Sequence, residues 1–198
     1  TLISEQWNYT GRIAGKGIGN CFLPGSAYTS ATTGSVSNIG GYNCLVGPSN
    51  VILDYAADDF SLSEPLVIYM GLKQAEGLFD QTTTAVTLQF GENTDDEIKI
   101  YGSAMTGEAI IKSTRSWNGL VSEKIETLTG LPADLKQVLL TVIVSANEVQ
   151  VSIGDKRMNH GGFILPNQPD LKNFRFSIGG GVQLAQFVVE RLTKPSIF

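Results

Sequence analysis

Asp95-Asp96-Glu97 is the run in this chain that comes nearest to a catalytic carboxylate pair. Retaining glycoside hydrolysis needs two carboxyl groups about 5–5.5 Å apart on one groove. Adjacent strand residues face opposite ways, so only Asp95 and Glu97 can share a side. The next position on that side is Lys99, where a second glutamate would be needed. The run therefore reads as a solvated hairpin tip, and the chain is expected not to be an enzyme. His160, the single histidine, lies in Met158-Asn159-His160-Gly161-Gly162, a turn-like composition with no Gly-x-Ser-x-Gly elbow nearby. It is open to two readings, a loop histidine or a ligand contact. Gly15-Lys16-Gly17-Ile18-Gly19 lacks the Lys-Ser/Thr step and the strand–turn–helix setting of a phosphate loop.

Two cysteines, Cys21 and Cys44, sit in the same Gly/Ser-rich stretch. A bridge between them would close a loop of moderate length, and two reduced, buried thiols are the alternative. One histidine and no CxxC spacing build no zinc site.

The elements that must position these groups read as strands. Val86, Leu88 and Phe90 alternate with Thr87 and Gln89; Ile98 and Ile100 alternate with Glu97, Lys99 and Tyr101. Residues 66–72 are continuously apolar, the pattern of a central strand buried on both faces. Residues 139–144 and 149–153 form a hairpin that ends in Gly154-Asp155-Lys156. Residues 174–178 run into Gly179-Gly180-Gly181, a turn or bulge with close backbone packing, before a closing strand over 187–192. One short helix is expected at 132–138, with Pro132 at its first position. Residues 113–129 read as a long polar segment, with an Asn118-Gly119 turn that would present Trp117 at a loop tip.

The chain has 198 residues, 42% hydrophobic and 17% charged, with 22 glycines. That suits one all-β domain with many turns. Residues 1–50 form a Gly/Ser/Thr-rich segment expected to pack on the sandwich or on a neighbouring subunit, and 51–198 form the sandwich proper. A net charge of −5 supplies no basic surface for nucleic acid. No run of eighteen apolar residues predicts a spanning helix, so no membrane insertion is expected.

Three pieces resemble the concanavalin A-like lectin/glucanase superfamily, and within it the laminin-G-like jelly rolls. They are Asp59-Phe60-Ser61-Leu62-Ser63 entering a strand, the 139–156 hairpin with its Gly-Asp-Lys tip, and Phe176-Ser177-Ile178-Gly179-Gly180 before the last strand. The resemblance covers roughly 51–192 and implies a two-layer antiparallel β-sandwich of jelly-roll type. It implies a binding role for a glycan or cell-surface receptor at rim loops. Trp117 and Asn118, beside Arg115, form one candidate cluster; Arg157, Asn159 and His160 form another. Trp117 is open to a second reading, a ring folded over the end of the sandwich. The resemblance also leaves Ca²⁺ open as the one cofactor, with Asn93, Asp95 and Asp96 as candidate ligands and ordinary acidic turns as the alternative. A homo-oligomer or larger assembly, such as a phage tail or capsid-surface protein, is the alternative function. The expected location is extracellular or on a virion surface.

Overall fold

The computed structural model describes residues 3–6, 28–31, 35–39, 42–47, 50–56, 64–75, 77–79, 84–91, 96–117, 119–163 and 173–192. These residues form β-strands and no helix. In chain order the strands are β1 (Ile3–Gln6), β2 (Tyr28–Ala31), β3 (Ser35–Ile39), β4 (Tyr42–Val46), β5 (Val51–Ala56), β6 (Leu66–Lys73), β7 (Thr84–Phe90) and β8 (Asp96–Gly102). Then follow β9 (Ala109–Trp117), β10 (Leu120–Leu128), β11 (Gln137–Val144), β12 (Glu148–Ile153), β13 (Lys156–Gly161), β14 (Asn173–Ile178) and β15 (Gln183–Arg191).

They pair, antiparallel throughout, into two sheets. The front sheet has seven strands in the order β10-β9-β8-β7-β14-β5-β2. The back sheet has eight, in the order β13-β12-β11-β6-β15-β4-β3, with β1 also on β15. Strands from the first fifty residues thus join both sheets: β2 extends the front one, and β1, β3 and β4 extend the back one.

Alternation builds the core between the layers. Val86, Leu88, Phe90, Ile98, Ile100, Phe174 and Phe176 point inward from the front sheet, each at most 2% exposed. Ile68, Met70, Leu72, Leu140, Val142, Val151, Phe187 and Val189 meet them from the back sheet, all fully buried. Phe176 and Phe187 stack across the layers with ring centroids 4.3 Å apart. Burial of this kind stabilises by about 1.5–3 kcal/mol for each large apolar side chain.

Strand β6 is central, between β11 and β15, as its apolar run implies. Its outward side is not uniformly buried, because Tyr69 and Gly71 are only half-buried there. The glycine cluster packs as expected. A Cβ on Gly179 would stand 2.0 Å from the Thr84 carbonyl oxygen, and the Gly179 N–H donates to the Ala85 carbonyl at 3.0 Å.

Two expectations are corrected. The helix at 132–138 is absent: the Leu135 N–H closes a turn on the Pro132 carbonyl, and Gln137 already pairs with Lys73 as β11 begins. So short a segment cannot nucleate a helix against a competing sheet edge. The polar segment 113–129 is most of the β9–β10 hairpin, paired in continuous register from Leu120↔Trp117 to Leu128↔Ala109, so the chain reverses between Trp117 and Leu120. The turn-like run around His160 is strand β13, paired with β12. The entry strand expected at 60–63 lies outside the described residues.

Candidate functional site

The outer face of the front sheet carries a row of polar side chains, one from each of six adjacent strands. Glu123 (β10) stands opposite Thr114 (β9), and Thr114 opposite Glu97 (β8). Glu97 is opposite Gln89 (β7), Gln89 opposite Arg175 (β14), and Arg175 opposite Asp54 (β5). With strands about 4.8 Å apart, the row spans about 24 Å. A second row runs beside it: Ile125, Lys112, Lys99, Thr87, Ser177 and Ile52.

Hydrogen bonds hold the first row in place. The Gln89 amide donates to the Glu97 carboxylate at 3.0 Å. Arg175 grips Asp54 in a two-pronged pair at 2.5 and 3.2 Å, which raises the guanidinium pKa mainly through the hydrogen bond. Lys112 reaches Glu123 at 2.8 Å, and that hydrogen bond raises its pKa. No two of the carboxylates Glu97, Glu123 and Asp54 are cross-strand neighbours. Asp95, the partner the sequence offers to Glu97, lies outside the described residues.

The residues singled out from sequence sit elsewhere. Arg115 is 2% exposed and points between the layers from β9, so it is not a rim residue. It pairs with Asp96 at 3.1 Å and donates to the Ser145 carbonyl at 2.6 Å, while Asp96 also accepts from the Ser116 N–H. Asp96 is therefore engaged inside the sandwich and does not face solvent as a calcium ligand. Asn93 and Asp95 fall outside the described residues. Among the described residues no group of three or more His, Cys, Asp or Glu could hold a metal.

His160 is also internal, 5% exposed. Its Nδ1 lies 3.0 Å from the Ser113 hydroxyl, and its Nε2 is 3.6 Å from the Glu126 carboxylate. Burial lowers its pKa, Glu126 works against that shift, and Lys124 adds to it. Ser113 is 1% exposed, so this Ser–His–Glu line offers no hydroxyl to a substrate. Phe163 covers the cluster, with Arg115 and Lys124 each 5.4 Å from its ring centroid. Strand alternation on β13 separates the second expected cluster: Arg157 and Asn159 are exposed, whereas His160 points inward. Asn159 donates to Glu148.

Trp117 ends β9 at a two-residue hairpin tip with Gly119 at φ 79°. Its side chain and Asn118 lie outside the described residues. Cys44 is buried on β4, and Cys21 falls outside the described residues, as does the bridge proposed between them.

Apart from Glu97, the residues that build the outer row are not singled out in the sequence, although their parity is readable. Gln89 and Glu97 are the outward members of the two most regular strands. Their alignment with Arg175 and Asp54 is a matter of register between segments up to 121 residues apart.

No family matches the sequence, and no curated protein matches it. Solved structures do match in fold. One is a glycoside hydrolase family 16 endo-glucanase from Bacteroides ovatus, 10% identical, with a TM-score of 0.61 over 96% of this chain and 100% of that one. Another is the Ca²⁺-bound form of the VIP36 exoplasmic/lumenal domain, 13% identical, with a TM-score of 0.55 over 99% of this chain and 93% of that one. A third is alginate lyase A1-II′ of polysaccharide lyase family 7, 12% identical, with a TM-score of 0.50 over 72% of this chain and 71% of that one. The fold is the concanavalin A-like jelly roll. A glycoside hydrolase and a polysaccharide lyase share it, which corrects the expectation that this chain is no enzyme: the fold is one that polysaccharide-degrading enzymes adopt.

Proposed function

We propose that the protein recognises a carbohydrate chain laid across the outer face of its front sheet. The row from Glu123 to Asp54 carries this reading. Sugars present closely spaced hydroxyls that both donate and accept. Arg175 offers donors, Glu97 offers acceptors, and Gln89 and Thr114 offer both, at strand-width intervals. The Gln89–Glu97 and Arg175–Asp54 hydrogen bonds pre-set those side chains, so little of their rotamer freedom is lost on binding. Half-buried Tyr101 adds a ring on the same side of β8. A glycan ligand also fits a location outside the cell, and among the described residues no helix is long and apolar enough to cross a membrane. The reading admits a bound Ca²⁺, supported by the Ca²⁺-bound form of one neighbour. The test is retention on a panel of immobilised polysaccharides. The reading expects retention of at least one, lost in a Gln89→Ala, Arg175→Ala double variant that keeps the wild-type melting temperature. No retention on any polysaccharide would end it.

Self-assembly is the second reading, supported by strand β10. This front-sheet edge is nine residues long, has no bulge or proline, and exposes Val121 and Ile125 at 66% and 58%. Natural edges are usually shortened, bulged or charged to prevent pairing. A two-residue hairpin closes on a hydrogen-bonded pair, here Leu120↔Trp117. The backbone groups of Val121, Glu123, Ile125 and Thr127 therefore face the open side. A second copy pairing about a two-fold at Ile125 would set Lys124 against the copy's Glu126 twice. Centring on Glu123 or Lys124 would oppose like charges.

A further inference from the structure

On the outer face of the front sheet, five charged side chains have partners. Glu97 holds Gln89, Glu123 holds Lys112, and Asp54 holds Arg175. Among the described residues Lys99 is the exception: its side chain makes no hydrogen bond or ion pair. Its position makes this unusual. On β8 it stands directly opposite Lys112 of β9, and like charges placed directly opposite destabilise a sheet. Lys112 turns away toward Glu123 on β10, which leaves Lys99 without a counter-charge. The nearest acid on the same side of β8, Glu97, already accepts the Gln89 amide from β7.

Lys99 is also central. Thr87 is its cross-strand neighbour on β7, and Ser177 on β14 is the next position in the same row. Tyr101 is two residues along on the same side of the strand. Thr87 and Tyr101 thus flank Lys99 by register on the polar face, with Ser177 one strand further. An anion arriving there would gain a charge-assisted hydrogen bond without breaking any existing pair, and would separate two opposed lysines. A neutral sugar would leave the opposed charges as they are.

We propose that the carbohydrate taken on this face is acidic, with a carboxylate or sulfate substituent paired to Lys99 and its ring hydroxyls met by Thr87, Ser177 and the neighbouring row. This rests on the carbohydrate reading above and narrows it to a ligand class. The net charge of −5 does not oppose it at physiological salt, where fields from distant surface charges are screened within about 8 Å.

Affinity gel electrophoresis of the full chain with polygalacturonate, dextran sulfate and a neutral mixed-linkage glucan tests this, with Lys99→Met and Lys99→Arg as variants. Retardation by polygalacturonate or dextran sulfate is expected, and the one that retards identifies the anion. Lys99→Met should weaken it roughly tenfold. Lys99→Arg should retain most of it, and added salt should weaken the wild type more than Lys99→Met. Retardation by the neutral glucan alone, or acidic binding indifferent to Lys99→Met, overturns the acidic ligand and leaves carbohydrate recognition standing. Retardation by none of the three overturns both. Equal melting temperatures for wild type and variants exclude a folding defect as the cause.

Discussion

Arg115 and Asp96 form an ion pair 3.1 Å long between side chains that are each 2% exposed. The pair is sealed at the end of the sandwich where β8, β9 and the 145–148 turn meet. Burial pulls the Arg115 pKa down, and the Asp96 charge opposes that shift. Removing one partner leaves the other as an uncompensated buried charge. Asp96→Asn should therefore lower the unfolding free energy by about 3–5 kcal/mol, read from urea denaturation. Replacing both, as Asp96→Leu with Arg115→Met, should recover much of the loss, since well-packed apolar replacements of buried pairs are often near neutral. A double variant as unstable as Asp96→Asn would contradict this account of the pair.

His160 makes stability depend on pH. Ser113 faces it from β9, and Glu126 and Lys124 are the nearby charged groups on β10. Its folded pKa is lowered, chiefly by burial, below an unfolded value of about 6.5. Between those two values the unfolded chain binds more protons, so stability rises with pH there. The stabilisation is fully present above about pH 6.5 and is lost as pH falls through that value toward the folded pKa. Denaturation midpoints at pH 7.5 and 5.5 should differ more for wild type than for His160→Gln. Identical differences would show that His160 charges as freely in the fold as in the open chain.

Gly179 has no room for a side chain, since a Cβ there would meet the Thr84 carbonyl at 2.0 Å. Gly179→Ala should cost about 1–3 kcal/mol or more through backbone displacement. Gly161 is a useful comparison: its added Cβ would meet only the Asn159 side chain at 3.7 Å, so Gly161→Ala should cost far less. Equal thermal shifts for the two variants would contradict the close approach.

The β10 edge predicts a specific cross-link. In an Ile125-centred pair the two Cα atoms would lie about 5.5 Å apart, within disulfide reach. Ile125→Cys should oxidise to a dimer on non-reducing gels, and Glu123→Cys should not. A strictly monomeric wild type in sedimentation, with neither variant cross-linking, would remove the assembly reading.

The fold was legible where one face of a strand is apolar and the other polar. Val86, Leu88 and Phe90, and Ile98 and Ile100, announced both their strands and their inward sides. Legibility failed where polar residues face inward. Ser113 and Arg115 on β9, and His160 on β13, break the alternation because each meets a polar partner inside the sandwich: Asp96 on the neighbouring β8 for Arg115, and Ser113 on the opposite sheet for His160. The composition around His160 reads as a turn, and Arg115 and His160 read as rim residues, because their buried partners leave no mark in the local sequence. The outer row was hidden for another reason. Each member is an ordinary outward residue, and only sheet order places Gln89 beside Arg175 and Arg175 beside Asp54.

Amide chemical-shift mapping of the labelled protein, titrated with an oligosaccharide it retains, tests the central claim most directly. The account predicts the largest shifts at Thr87, Gln89, Glu97, Lys99, Thr114 and Arg175, in a band across the front sheet. Shifts gathered instead on the back sheet, around Arg157, Asn159 and Gln150, would contradict it.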